Sequence, residues 1–204
     1  MAALTLLPII ACVGFVFIVL GLLFLFYAVS IYNALIVLKN NLGKAWSNID
    51  VLLKQRSDLI PNLVETVKGY MKHEQYTLEK ITKLRSSIIS YDSPGKIAKP
   101  SEAMSGLLKN LFMVSEKYPD LKANQNFLKL QEQLTAIENQ IADRREFYNN
   151  SVLLYNTRIH SLPDSIVAMI LGMKDNEYFK ATTEEKELVK VDMSNESNKE
   201  TVVK

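Results

Sequence analysis

The stretch WSNIDVLLKQRSDLIPNLVETVKGY, residues 46–70, decides the fold. Trp46, Ile49, Leu53, Ile60, Leu63 and Val67 recur at alternating steps of three and four, the spacing of a helix that buries one stripe. Arg56 falls on that stripe, and Pro61 interrupts it. A proline inside a helix removes one hydrogen bond and crowds the carbonyl four residues back. The helix is therefore expected to kink near 57–61, leaving the carbonyl of Ser57 in need of a partner. Asn62 or a water is the expected donor.

Working outward, the stripe continues through Tyr70, Glu74, Leu78, Ile81 and Leu84. This predicts one helix from Lys39 to about Tyr91, roughly 80 Å long. SYDSPGKIAKP (90–100) combines Ser, Pro and Gly and reads as its end. A short helix is predicted over 101–116, and YPDLKAN as a turn. A second long helix, about 124 to 161, carries Phe127, Leu130, Leu134, Ile137, Ile141, Arg144, Tyr148, Val152, Tyr155 and Ile159 along its stripe. Pro163 suits the start of a further helix and Gly172 its C-terminal cap.

No charged side chain appears before Lys39, and Ile9 to Tyr32 is almost wholly apolar. A bilayer of about 30 Å needs roughly 20 apolar residues to cross it as a helix. A cleaved leader is the competing reading, with AVS at 28–30 as a small-residue site. It lacks a basic start, and the apolar block exceeds a leader's usual length. Lys39, Lys44, Lys54 and Arg56 follow the span with only Asp50 among them, which points the rest of the chain to the cytoplasm and the N-terminus outside.

The fold class is thus all-α: an N-terminal transmembrane helix, then an elongated bundle of about four helices, two long and two short. The divisions are a short segment 1–8, a span 9–32, a bundle 33–180 and a polar tail 181–204 with a short extended LVKV. Whether the long helices run parallel or antiparallel is left open by the connections.

Several blocks carry a resemblance. YNALIVLKN (32–40) and AWSNIDVLLKQRSDLIPNLVETVKGYMKHE (45–74) are followed by YPDLKANQNFLKLQEQL (118–134), ENQIADRREFYNNSVLLYN (138–156) and EYFKA (177–181). Together they resemble the LemA family, over most of the chain beyond the apolar leader. AIEN at 136–139 stands where members often have GTEN, and Met173 where they usually have Phe; both are packing positions. The resemblance implies a membrane segment followed by a helical bundle, in a bacterial cytoplasmic membrane, and supplies no reaction.

Catalytic chemistry finds little support. Glu-x-x-His pairs, which build di-iron sites in bundles, are absent: Tyr70 and Thr157 precede His73 and His160 by three. The single Cys12 lies in the apolar leader, away from any base. The glycines stand singly, without a phosphate loop. A net charge of +2, with Arg144–Arg145 and Lys39/Lys44 as sparse cations, gives no nucleic-acid face. Sequons at Asn149 and Asn195 matter only outside the cytoplasm. No catalytic residue, cofactor or metal ligand is expected.

What remains is a set of polar groups among the apolar ones: Arg56, Asp58, Asn62, Glu65, Arg144, Arg145 and Glu146. An unpaired charge on a buried stripe is expensive. In an antiparallel arrangement Arg56 is expected to meet Glu146, and Asp58 to meet Arg144 or Arg145. The plain reading is that these groups fix helix register; the functional reading is a polar groove that receives a partner helix or peptide. Trp46 is expected in the core. The tyrosines at 148 and 155, one heptad apart, are expected to satisfy core hydrogen bonds.

The function expected is a non-enzymatic, membrane-anchored scaffold or interaction module. Its partners are the bilayer through 9–32, other membrane or envelope proteins, and further copies of itself. The alternative is a metal- or small-molecule-binding bundle enzyme using the groups near Arg56 and Asp58. A membrane-shaping role is a third reading.

Overall fold

The computed structural model describes residues 2–90 and 93–179, with side chains from Gly14 onward. Every regular element among them is helical. They are α1 (Ala2–Lys68), a single 3-10 turn (Lys72–Glu74), α2 (Gln75–Ile89), α3 (Pro94–Ser115), α4 (Pro119–Lys122), α5 (Gln125–His160) and α6 (Asp164–Ile170). The 181–204 segment lies outside the described residues.

Among the described residues one helix, α1, is long and apolar enough to cross a membrane, and it runs without a break into the bundle. From Gly14 to Ser30 no side chain is buried, and Phe15, Phe17, Phe24 and Phe26 are exposed. Packing begins at Ile31, just inside the expected edge of the span. Beyond it Leu35, Leu42, Ala45, Ile49, Leu53, Ile60, Leu63 and Val67 face the core.

The long helix expected from 39 to 91 is two helices. After Lys68 the carbonyl of Val67 takes the N–H groups of both Tyr70 and Met71, at 3.0 Å each, and the chain turns. Glycine at 69 weakens the helix there, and buried Met71 anchors the turn. The stripe looked continuous because Leu78 and Ile81 of α2 keep the same phase as α1 while folding back against it.

The third helix begins earlier than expected. Pro94 occupies its first turn, where a missing N–H is harmless. Ile97 and Ala98 are already buried beside Met104, Leu108 and Leu111. Pro100 is inside the helix and removes one hydrogen bond without ending it.

α1 and α5 run antiparallel over their whole shared length. Tyr70 meets Asn124, Arg56 meets Glu138 and Trp46 meets Tyr148, so each step forward on one helix is an equal step back on the other. α5 starts on an Asn124 cap, whose Oδ1 accepts from the N–H groups of Asn126 (3.0 Å) and Phe127 (3.1 Å).

α6 ends in a Schellman turn. Met173 N–H donates to the carbonyl of Ala168 at 3.0 Å, and Gly172 N–H to that of Met169 at 3.1 Å. Gly172 has φ +62°, the left-handed conformation that glycine adopts without strain. The segment 173–179 then lies back along α5.

Candidate functional site

Arg56 is the largest fully buried side chain of the chain's described core, 1% exposed. Three helices converge on its guanidinium. Nη1 donates to Glu138 Oε1 at 2.8 Å and to Ser105 Oγ at 3.1 Å; Nη2 donates to Ser101 Oγ at 3.0 Å. Ser105 Oγ in turn donates to Glu138 Oε2 at 2.6 Å. Nη1 also reaches the Ser101 carbonyl at 3.5 Å, while Nε–H has no acceptor among the described residues. A carboxylate on Nη1 and the hydroxyls of Ser101 and Ser105 offset part of the penalty of burying a charge.

The partner of Arg56 is therefore Glu138, and the expected Glu146 is wrong by two helical turns. The antiparallel register places Glu146 nearer the membrane end, where it is exposed. Asp58 is exposed and forms no ion pair with Arg144 or Arg145 among the described residues. Asn62 and Glu65 point to solvent beside exposed Pro61. The seven polar residues thus do not form one cluster. Arg56 is held with Ser101, Ser105 and Glu138, none of which the sequence singled out.

The carbonyl orphaned by Pro61 does find a donor. α1 continues through the proline, and Arg85 of α2 places Nε 2.7 Å from the Ser57 carbonyl. A charged donor on a freed carbonyl is a strong hydrogen bond. It takes the place expected of Asn62 or water, and it pins α2 against α1 one residue from Arg56.

A second polar system lies nearer the membrane end. Asn156 donates Nδ2 to the Asn176 carbonyl and accepts the Asn176 N–H, both at 3.0 Å. Asn149 brackets Phe179 likewise, at 3.0 and 2.8 Å. Seven helical residues rise about 10.5 Å, and three extended residues span about 10 Å, so the repeated YN dipeptides measure out the returning segment. Between them Tyr148 Oη donates to the Glu177 carbonyl at 2.9 Å. Burial, then the charge of Glu177, pushes the Tyr148 hydroxyl up to about 12. Burial and Asp175 raise that of Tyr155 as well.

Phe179, fully buried, closes this strap over Trp46, with ring centres 6.2 Å apart, and Trp46 lies 5.8 Å from the Tyr148 ring. Trp46 is thus half-buried and packed against the core. Arg145 lays its guanidinium 4.6 Å from the Phe179 ring centre. Arg144, expected on the α5 stripe, is exposed, and half-buried Arg145 occupies that side of the helix instead.

Asp58 and Ser57 line a cavity with Asp50, Lys54 and Ile97, and Arg144 lines another with Lys44 and Asn48. A cavity of about 700 Å³ opens between α1 and α2 at the end far from the span, among Val64, Met71, Leu78, Gln75 and Thr82. Among the described residues no three of His, Cys, Asp and Glu converge as a metal site would require. His160 instead pairs with Asp175 at 2.7 Å, both exposed.

The antiparallel bundle, the Arg56 cluster and the strap all fall within residues 45–193, which match the model of the LemA family. The chain belongs to the LemA family. It is 30% identical over 176 residues to Protein LemA of Metamycoplasma hominis, covering 84% of this chain and 78% of that one. It is also 24% identical over 174 residues to Magnetosome protein MamQ of Magnetospirillum gryphiswaldense and to Magnetosome protein MamQ 2 of Paramagnetospirillum magneticum. Each of those matches covers 72% of this chain and 64% of the relative. The YNN…YN block that carried the resemblance and the EYF of its last block, 177–179, are two sides of the strap. The departures from the LemA pattern within 136–139 are Ala136 and Ile137, which directly precede Glu138.

Proposed function

We propose that this LemA-family chain is a membrane-anchored, non-enzymatic scaffold. Its span crosses the bilayer near residues 9–32, its N-terminus lies outside, and its bundle stands on the cytoplasmic face to engage membrane or envelope proteins or further copies of itself. The observation that supports this best is the use of the polar groups. The buried charge Arg56 is spent on Glu138, Ser101 and Ser105 from two other helices, and Arg85 is spent on the Ser57 carbonyl. These are groups that fix helix register and leave little reactive capacity over. The uncovered apolar length of α1 supports the anchor, and basic Lys39 and Lys44 support the orientation. Relatives named as magnetosome proteins are in keeping with a part played within a larger assembly.

Photocrosslinking tests the reading. A crosslinker replacing Met113, which is 64% exposed, is activated in intact membranes of the native cell. Reproducible adducts to a defined protein or to a second copy are expected; monomer alone overturns the scaffold. Stoichiometric metal in the purified full chain, or strong thermal protection by one small molecule, favours a binding enzyme instead.

A further inference from the structure

α6 is built inside out. Asp164 and Ala168, one turn apart, face the bundle and are buried, with Asp164 held by Arg158 at 2.5 Å. Ile166, Met169 and Ile170 share the opposite face and are 54%, 81% and 80% exposed; Leu162, in the turn before, is 79% exposed. A surface helix normally shows water its polar side, and an exposed apolar patch of this kind marks an interaction site.

Its position says what covers it. Ala168 packs in a small cluster with Ile31 and Leu35 of α1 and Tyr155 and Ile159 of α5. α6 therefore lies across the end of the bundle from which α1 departs, beside the point where the uncovered stretch Gly14–Ser30 ends. The apolar face of α6 is therefore carried near the end of the apolar stretch of α1. Exposed Tyr27 and Tyr32 stand at the same level, as aromatic residues do at a membrane–water boundary. Lys39 and Lys174 line one cleft there with Tyr32 and Leu171, placing cations at headgroup height.

We propose that α6 and the turn before it seat in the headgroup region of the same bilayer that α1 crosses, giving the bundle a second membrane contact. This rests on the anchor reading above. A second copy covering α6 would itself have to lie at that depth, so lipid is the occupant the geometry favours. The bundle then stands on two supports, and its tilt and rotation about α1 are fixed.

The test uses the full chain in vesicles of phosphatidylcholine and phosphatidylglycerol. In a Cys12→Ser background, Met169→Cys, Leu20→Cys and Met113→Cys are each labelled with a nitrobenzoxadiazole fluorophore. The vesicles carry spin-labelled lipids with the quencher near the headgroup or deep in the acyl chain. The label at 169 is expected to emit to the blue and to lose intensity chiefly to the shallow quencher. The label at 20 should lose most to the deep one, and the label at 113, at the far end, to neither. Quenching at 20 without quenching at 169 overturns the proposal and leaves the anchor standing. No quenching at 20 overturns both. Blue emission at 169 that ignores lipid quenchers puts protein on α6 and also overturns it. Met169 is largely exposed, so the substitution leaves the fold intact, which native Trp46 emission verifies.

Discussion

Replacing Glu138 with alanine removes the carboxylate that Arg56 pairs with among the described residues. With Glu138 present Arg56 is 1% exposed, and without it Ser101 and Ser105 are the remaining side-chain acceptors. Breaking a buried ion pair from one side costs about 3–5 kcal/mol. The Glu138 side chain is 22% exposed, so water can follow into its place. The lower end applies, about 3 kcal/mol, or a loss of roughly 6–12 °C in melting temperature for a domain of this size. Removing the charge itself is different. Arg56→Met leaves a carboxylate that water can hydrate and fills the slot with an apolar chain of similar length. Replacing buried pairs by apolar groups is often neutral, so Arg56→Met should cost about 1 kcal/mol or less, and Arg56→Met with Glu138→Leu should lie near the wild type.

Trp46 is the only tryptophan and packs against the core beside Tyr148. Its emission during heating of the full chain in micelles therefore follows the bundle and ignores the span. The order of the variants carries the reasoning. An Arg56→Met protein as unstable as Glu138→Ala, or a double variant no better than Glu138→Ala, would refute the view that a stranded buried charge dominates.

Pro61→Ala restores an N–H that competes for the Ser57 carbonyl, so Arg85→Met should cost about 1–3 kcal/mol in the wild type and much less in the Pro61→Ala background; equal costs in urea titrations would dismiss the pairing. Asn149→Ala and Asn156→Ala each remove two hydrogen bonds to the strap and should cost about 1–3 kcal/mol, with faster amide exchange at Phe179 as the local readout. Tyr148 has a folded pKa above its unfolded value, so its contribution to stability is complete below about pH 10 and is lost as pH rises toward about 12. Comparing wild type with Tyr148→Phe by Trp46 emission should show the alkaline loss reduced in the variant. Leu63→Asp, at a fully buried position, should unfold the bundle while leaving helical signal from the span, as seen by circular dichroism.

Periodicity made the helices legible. The stripe from Trp46 to Val67 and that from Phe127 to Ile159 bury nearly as spaced, and Arg56 is buried where the spacing put it. The break at Gly69 was hidden by a coincidence of phase, since α2 extends the stripe while reversing direction. Register was the larger loss. Periodicity says which face of α5 meets α1 but not which turn meets which turn, so every carboxylate on that face was an equal candidate for Arg56. Glu138 wins because Tyr70 meets Asn124 at one end and Trp46 meets Tyr148 nearer the other. Ser101 and Ser105 were missed because serines on an apolar stripe give no signal until a buried cation needs them. The YN repeat did hold a signal: two asparagines one heptad apart can bracket an extended segment three residues long, and EYF at 177–179 supplies its end.

An unbroken α1 has a mechanical consequence for a scaffold. Between Ile31, where packing starts, and Val67, near its end, the helix is tied to α5, α2 and α6 and cannot pivot independently. At 1.5 Å per residue, the turn at Tyr70 stands roughly 60 Å from the level of Ile31. A tilt of about 20°, usual for spans, shortens that height by only about a twentieth. The open groove between α1 and α2 is at this far end, whereas the α6 face is at the near one. In the proposed arrangement the two surfaces answer to different surroundings: one would be reached only from the aqueous phase well above the bilayer, the other only at its edge. A partner that bound the far groove would be held at a set height and, with α6 seated in lipid, in a set direction. Cutting the link by a flexible insertion in α1 between Ser30 and Leu35 should preserve the far groove's binding in solution but abolish any activity that depends on where the partner is held.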